Sequence, residues 1–274
     1  MLRALGPARH PVADAIGLAA WAANPSRRRR AAANHLRLGA TGEAEARRLA
    51  RRSFQEYVRT NVDFVWAHGM SAAEVASRSR VAGRDHIDEA VAAGRGGVLA
   101  LSHFGNWDFA ALIAWSYGVQ LTTVMAPIGN QTVTRLVVWA REQNALEVFA
   151  PENAARGLLR AVRRGRFVAL LSDIAGAGPE VAVRYCGGLV AFSLAPAWLA
   201  MRTNAPLLPV DCRRGERGEP DYVITIHERL VPAEGEDEAA LTQRLATTLE
   251  VAVRRHPQQW YPFGDVYSEG ASGD

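Results

Sequence analysis

Residues 97–117 read GVLALSHFGNWDFAALIAWSY, a stretch in which a short apolar run stops at a histidine and a longer apolar run follows. The first run, Val98 to Leu101, predicts a buried strand, and Phe109 to Tyr117 predicts an apolar helix. His103 therefore lies in a predicted strand-to-helix turn. In open α/β sheets, ligands bind at the edge where strands end in such turns. The stretch thus predicts both an α/β fold and the place of its site.

The spacing of His103 and Asp108 is that of a base and a carboxylate that orients it. Asp108 falls in the first turn of the predicted helix, near Asn106 as the N-cap, where its carboxylate can accept a proton from one imidazole nitrogen. The other ring nitrogen can then take a proton from a hydroxyl. The spacing alone is weak, and the alternative is a turn histidine capped by a nearby carboxylate. The strand–turn–helix setting favours the catalytic interpretation.

Predicted strands and helices alternate from about residue 81 onward, which is typical of a mainly parallel sheet with helices on its faces. We expect an N-terminal helical layer over residues 1–80, an α/β core over 81–267 and a flexible tail over 268–274. A second carboxylate, Asp173, is expected at a strand end. The strands are predicted at Val98–Leu101, Leu121–Met125, Glu147–Phe149, Phe167–Leu171, Glu180–Tyr185, Leu207–Asp211 and Tyr222–Ile226.

Composition narrows the classes of protein that the chain can represent. Its 274 residues are 49% hydrophobic, enough for a large core, which excludes disorder for most of the chain. The two cysteines, Cys186 and Cys212, form neither a disulfide framework nor a metal-ligand spacing, so we expect a reducing compartment and no metal. All 32 basic residues are arginine and the net charge is +4. An anionic partner is indicated, whether nucleic acid, a membrane surface or a phosphorylated ligand.

Membrane contact is predicted for one segment near the N-terminus. No apolar run reaches the roughly 20 residues that span a bilayer. Val12 to Ala23 is largely apolar and is followed by Arg27 to Arg30, an arrangement that suits the plane of an anionic interface. A helix packed on the main domain beside a solvated charge run is an equally open interpretation.

Several blocks between about residues 30 and 265 resemble, in order, the bacterial lysophospholipid acyltransferase superfamily. Within it, the blocks are most similar to the lipid A lauroyl/myristoyl acyltransferases and the phosphatidylinositol mannoside acyltransferases. Cys186 and Ser193 depart from residues that are frequent in the family. The matching blocks are the His-x4-Asp box from His103 to Asp108, Leu170 to Asp173, Glu180 to Gly187, Ala195 to Val210 and His256 to Tyr261.

The resemblance implies a glycerol-phosphate acyltransferase-like fold and a membrane-associated acyltransferase. The fatty acyl group would pass from acyl-CoA or acyl carrier protein to a hydroxyl of an anionic glycolipid or phospholipid, with a phosphatidylinositol mannoside-type acceptor favoured over a lipid A-type one. It also implies a peripheral or monotopic position at the cytoplasmic face of the cell membrane, with no cofactor and no nucleic acid as partner. His103 would be the base, with Asp108 as its orienting carboxylate.

Three residues are further candidates for contact with substrate. Asn106 and Trp107 lie within the box and are expected to shape its turn, and Trp107 is equally compatible with a core position. By resemblance, Glu180 lies close to the active-site groove, with an exposed strand-edge carboxylate as the alternative. Backbone N–H groups of the Gly105 turn or of the following helix terminus are candidate donors to the thioester oxyanion.

Arginines provide the candidates for binding phosphate. Arg141, Arg164 and Arg184 can contact CoA phosphates or a phosphoinositol headgroup, because the guanidinium group binds phosphate in a bidentate manner. For each of them singly, a solvated surface position is the more common outcome.

Three other functions fit the sequence less well than acyl transfer does. A lipid or thioester hydrolase with a serine triad is disfavoured because no Gly-x-Ser-x-Gly elbow occurs. A nucleic-acid-binding protein is compatible with the charge, but the arginines are scattered and no binding motif is present. A Rossmann dehydrogenase is disfavoured because Gly94 to Gly97 precede the strand instead of following it.

Overall fold

The computed structural model describes residues 6, 8–143, 146–174 and 178–267. The tail predicted over residues 268–274 lies outside the described part of the chain. The α-helices are α1 Arg9–Ala23, α2 Pro25–Leu38, α3 Glu43–Ala67, α4 Ala72–Ser77, α5 Asp85–Ala92, α6 Trp107–Ser116, α7 Gln131–Glu142, α8 Ala154–Arg163, α9 Ala195–Thr203 and α10 Glu238–Arg255. The strands are β1 Ser79–Ala82, β2 Gly97–Leu101, β3 Leu121–Val124, β4 Glu147–Phe149, β5 Phe167–Leu171, β6 Glu180–Tyr185, β7 Gly188–Ser193, β8 Leu207–Arg214 and β9 Tyr222–Ile226.

Seven of these strands form one sheet in the order β1-β9-β8-β2-β5-β3-β4. The pairs on both sides of β2 are parallel, as are those of β5 with β3 and β3 with β4. Only the pairing of β8 with β9 is antiparallel among the described strands of this sheet. The predicted α/β fold with a mainly parallel central sheet is therefore confirmed.

Strand β2 shows why this sequence carries helices on both faces of the sheet. All five of its residues are buried, as expected of a central parallel strand. Val98 and Ala100 pack into the core on the side of α8, α9 and α10, whereas Leu99 and Leu101 pack into the core on the side of α5 and α6. Two apolar layers thus meet at one strand.

Two strands were missed by the sequence analysis. β1 crosses the boundary predicted between the helical layer and the α/β core, and its four residues alternate between half-buried and exposed at the sheet edge beside β9. β7 pairs with β6 in a separate antiparallel hairpin. Its turn requires Gly187, whose φ is +87° and whose backbone approaches the Arg37 carbonyl so closely that a side chain would overlap it.

The N-terminal helices pack on one another and reach the sheet through α3. Ala31, Ala50 and Phe54 form a small apolar cluster between α2 and α3. At its other end, α3 touches the turn after β2, where the Thr60 hydroxyl donates to the Gly105 carbonyl at 3.2 Å. Within the described residues, no helix has both the length and the apolar character required to cross a bilayer.

Candidate active site

The turn after β2, residues 102–106, is fixed by backbone hydrogen bonds on two sides. The Gly105 N–H donates to the Gln259 carbonyl at 2.9 Å, and the Asn106 N–H donates to the Cys212 carbonyl at 2.7 Å. Gly105 has a φ of +60°, and a side chain there would overlap the Cys212 carbonyl oxygen. The turn that carries His103 is therefore rigid before any substrate arrives.

Asn106 holds the same turn to the start of α6. Its Oδ1 accepts from the Phe109 N–H at 2.9 Å, which is the predicted N-cap contact. Its Nδ2 donates to the Tyr222 hydroxyl at 2.9 Å, and the residue is 1% exposed. This position fits the predicted role of Asn106 in shaping the turn. It does not fit direct contact with substrate, because the side-chain amide is buried and hydrogen-bonded to Phe109 and Tyr222.

The carboxylate that contacts His103 is Asp173. Oδ1 of Asp173 lies 2.8 Å from Nδ1 of the ring, and the same carboxylate accepts the His103 backbone N–H at 2.8 and 3.0 Å. The cause is the sheet register. Leu101 of β2 is aligned with Leu171 of β5, so the residues two places beyond each strand, His103 and Asp173, meet at the same edge.

Asp108, which we expected to orient the histidine, contacts a different residue. Its two carboxylate oxygens accept from Nε and Nη2 of Arg141 at 2.8 and 3.2 Å. The pairing in the sequence-based prediction was therefore wrong. A carboxylate in the first turn of α6 projects from the helix toward α7, whereas Asp173 emerges from the neighbouring strand beside the ring.

A cavity of about 1250 Å³ opens at this edge of the sheet. It is larger than the 300–1,000 Å³ that is usual for small-ligand pockets, and its wall is mainly apolar. His103, Trp107, Asp108 and Arg141 line it together with Glu180. The His103 and Trp107 rings meet edge to face, with centroids 5.3 Å apart. Its apolar wall includes residues of β2, α6 and β3, namely Leu99, Leu101, Ile113, Ala114 and Leu121.

A buried carboxylate beneath the turn was missed by the sequence analysis. Asp63 of α3 is fully buried and accepts from Arg9 Nε at 2.8 Å, from Arg214 Nη1 at 2.6 Å and from the Tyr222 hydroxyl. Burial by itself raises the pKa of this carboxyl. The hydrogen bonds from His10, Tyr222 and Arg9 and the charge of Arg214 outweigh burial and hold the pKa well below its usual range.

This network joins the N-terminal helices to the box. Tyr222 donates to Asp63 and accepts from Asn106, so the cap of α6 is connected to a carboxylate that α1, α3 and β8 share. The only signal in the sequence was a lone acidic residue within an otherwise aromatic and aliphatic helical stretch, residues 62–67.

A family model described as bacterial lipid A biosynthesis acyltransferase matches residues 2–264. The chain belongs to this family. It is similar to the phosphatidylinositol mannoside acyltransferases of Mycobacterium tuberculosis strain H37Rv, with 32% identity over 185 residues, and of Mycolicibacterium smegmatis, with 31% identity over 182 residues. These matches include 66% and 65% of this chain but 57% and 58% of the relatives. The chain thus spans less than two thirds of the length of the relatives it matches. The family match confirms the resemblance that the sequence predicted.

The remaining candidates divide between the cavity and the surface. Trp107 and Glu180 line the cavity, as does Arg141, which is paired with Asp108. Arg164 and Arg184 are exposed, and neither is among the described residues that line the cavity. Arg164 follows α8 at the opposite end of β5 from Asp173, which is why it cannot reach the same edge.

Two arginines that were not among those candidates do line the cavity. Arg27 and Arg30 of α2 line the cavity, although the sequence suggested either a membrane contact or a solvated position for them. Two candidate oxyanion donors were also wrong, because the Gly105 and Asn106 N–H groups are bonded to carbonyls. The terminus of α6 remains the candidate donor, since the first N–H groups of a helix have no partner within it.

Proposed function

We propose that the chain is an O-acyltransferase that moves a fatty acyl group from acyl-CoA or acyl carrier protein to a hydroxyl of a glycolipid. The observation that carries this proposal is His103, held by a carboxylate through one ring nitrogen at the wall of a large apolar cavity. The names of the similar proteins favour a phosphatidylinositol mannoside-type acceptor, with a lipid A-type acceptor second.

His103 acts as the general base. An ionised carboxylate can only accept, so Asp173 fixes the proton on Nδ1 and leaves the Nε2 lone pair available. The acceptor hydroxyl loses its proton to Nε2 while its oxygen attacks the carbonyl carbon of the thioester. When the tetrahedral intermediate collapses, the C–S bond breaks and the imidazolium returns the proton to the thiolate. The products are an ester and a free thiol.

Asp173 is a positioning residue in this mechanism. It holds the ring in one tautomer and orientation and stabilises the imidazolium that forms during attack. It is also bonded to the backbone N–H of His103, so the carboxylate fixes the turn and the ring together.

Asp108 acts through Arg141. The two side chains are each 14% exposed, and their bidentate pair ties the start of α6 to the last turn of α7. Since Asp108, Arg141 and Val137 all line the cavity, the pair keeps α7 in place as part of the cavity wall. The box aspartate thereby serves cavity shape more than proton transfer.

Charged parts of the substrates are recognised by arginines at the cavity. Arg27 and Arg30 supply guanidinium groups for phosphates of the donor or of the acceptor headgroup. We place the protein at the cytoplasmic face of the membrane, because the proposed donors, acyl-CoA and acyl carrier protein, are cytoplasmic and the acceptor is a lipid. It binds there as a peripheral or monotopic protein.

The test is product analysis with labelled palmitoyl-CoA, or labelled palmitoyl carrier protein, and a lipid extract that contains phosphatidylinositol mannosides. We expect a labelled glycolipid from wild type and none from His103→Ala, and the mass of the product identifies the acceptor. Labelled free fatty acid alone, formed with every acceptor offered, would identify a hydrolase and refute the proposal. Equal product from wild type and His103→Ala would refute the assignment of the base.

A further inference from the structure

Helix α7 stands apart from the other long helices because none of its residues is buried. Val133, Leu136 and Trp139 are 43%, 61% and 48% exposed. Residues three apart step back by about 60° around a helix, so these three side chains form one stripe along about a third of the circumference. Ile128, just before the helix, adds a fourth exposed apolar side chain at 43%.

The other side of α7 is fixed to the active site. Val137 and Arg141 line the cavity, and Arg141 is bonded to Asp108. The exposed stripe is therefore held at a set position beside the cavity. Ile128 and Ile174 line the cavity and are 43% and 52% exposed, so apolar surface continues from the cavity to the outside.

The charges beside this surface favour a lipid partner. Arg27 and Arg30 line the same cavity and belong to a run of four arginines at the start of α2, and Arg135 is exposed on α7 itself. The chain has a net charge of +4. Guanidinium groups beside an apolar stripe match the phosphates and acyl boundary of an anionic bilayer. An acidic carrier protein would match the arginines but would leave the apolar stripe in water.

We propose that α7 is a membrane-binding helix whose stripe, Val133, Leu136 and Trp139, enters the headgroup–acyl boundary of an anionic bilayer. The cavity then opens toward the lipid surface, so that a lipid acceptor reaches His103 without leaving the membrane. This assignment rests on the proposed function for its purpose, although binding to a bilayer is measured without any reaction. It identifies a contact that differs from the segment Val12 to Ala23 suggested by the sequence.

The experiment is flotation of the full chain with vesicles of phosphatidylcholine and phosphatidylglycerol in a 3:1 ratio. The variants are Leu136→Ser and Val133→Ser, with Val251→Ser on α10 as the matched control. Val133 and Val251 are 43% and 44% exposed, so the two valine substitutions remove equal apolar surface at different places. We expect the partition coefficient to fall about fivefold for each α7 variant and to stay unchanged for Val251→Ser.

Trp139 provides a second measurement. Lipids brominated on the acyl chain should quench part of the wild-type tryptophan fluorescence, and Trp139→Phe should lose that quenched part. The proposal would be overturned if both α7 variants had the partition coefficient of wild type, or if Val251→Ser lost as much binding as they do. It would also be overturned if the quenching of Trp139→Phe equalled that of wild type. The proposal would also be overturned if the α7 variants bound vesicles normally but no longer bound acyl carrier protein. That result would make α7 a protein-docking helix.

An assay in detergent tests the proposed acyl transfer separately from membrane binding by α7. With a detergent-dispersed acceptor, Leu136→Ser should transfer acyl groups at the wild-type rate, because Leu136 is not among the described residues that line the cavity. If wild type makes no ester in detergent or in vesicles, the function fails while the flotation result still decides the role of α7.

Discussion

The pair of Asp173 with His103 and the pair of Asp63 with His10 lie in two regions of this molecule, and they differ in what surrounds the pair. At the sheet edge, Asp173 contacts His103 at 2.8 Å, and the ring is 26% exposed at the cavity. In the N-terminal layer, Asp63 contacts His10 at 3.1 Å but also binds two arginines and a tyrosine. The first carboxylate holds a ring that lines the cavity, where we propose that it exchanges a proton with a substrate. The second is saturated, so it stabilises structure.

The largest effect should come from His103. Loss of a general base lowers the rate of such a transfer by about 10³-fold, so we expect that decrease in kcat for His103→Ala with an unchanged Tm. The matched control is His227→Ala. His227 contacts Asp211 at 2.8 Å and is 24% exposed, but it is not among the described cavity-lining residues. A similar loss of kcat in both variants would mean that His103 has no role in catalysis that His227 lacks.

The two carboxylates at the sheet edge, Asp173 and Asp108, should differ in how much their loss lowers kcat. Asp173→Asn should lower kcat by about 10²-fold because the ring loses its fixed tautomer, whereas Asp108→Asn should lower it by about tenfold through the loosened Arg141. The pH dependence of kcat should change only in Asp173→Asn, since only that residue touches the base. The reverse order of losses would restore the pairing that the sequence suggested.

The carboxylate partner of His103 marks the limit of what the sequence could predict. Local pattern was sufficient for β2, the turn, α6 and the strand that ends before Asp173, since each depends on residues close in sequence. The pairing of His103 required the knowledge that β5 lies beside β2 and in which register. Strand order depends on contacts across the whole chain, so spacing within one box pointed to Asp108 instead.

The N-terminal layer was harder to predict for a related reason. Asp63 looks like a solvated charge until α1, α3, β8 and β9 are placed together around it. The exposed apolar stripe of helix α7 resembles a core face when only the sequence is known. Which face is covered depends on partners that periodicity does not reveal.

Asp63 should affect stability more than chemistry. Asp63→Asn leaves Arg9 and Arg214 buried beside a neutral amide, so we expect a loss of about 3 kcal/mol in the free energy of unfolding at pH 7. The folded pKa lies below the unfolded value of 3.8, so its contribution is present at neutral pH and is lost as the pH falls below about 4. Urea unfolding at pH 7 and pH 3 should show a smaller difference between wild type and variant at the lower pH. An unchanged gap would mean that the charge of Asp63 is not what stabilises the layer.

The smaller of the two predicted effects on stability belongs to His35, also in the N-terminal layer. It is fully buried, its Nε2 lies 3.1 Å from the Ser53 hydroxyl, and burial lowers its pKa to about 4. As the pH falls below 6.5, the unfolded chain binds a proton there and the folded chain does not, so stability is lost between pH 6.5 and 4. From pH 7 to 5 this amounts to about 2 kcal/mol. His35→Gln removes the titration, so wild type should lose about 2 kcal/mol more than the variant over that interval in urea unfolding. Equal losses would mean that His35 binds its proton in the folded protein as readily as in the unfolded chain, and that burial does not control its titration.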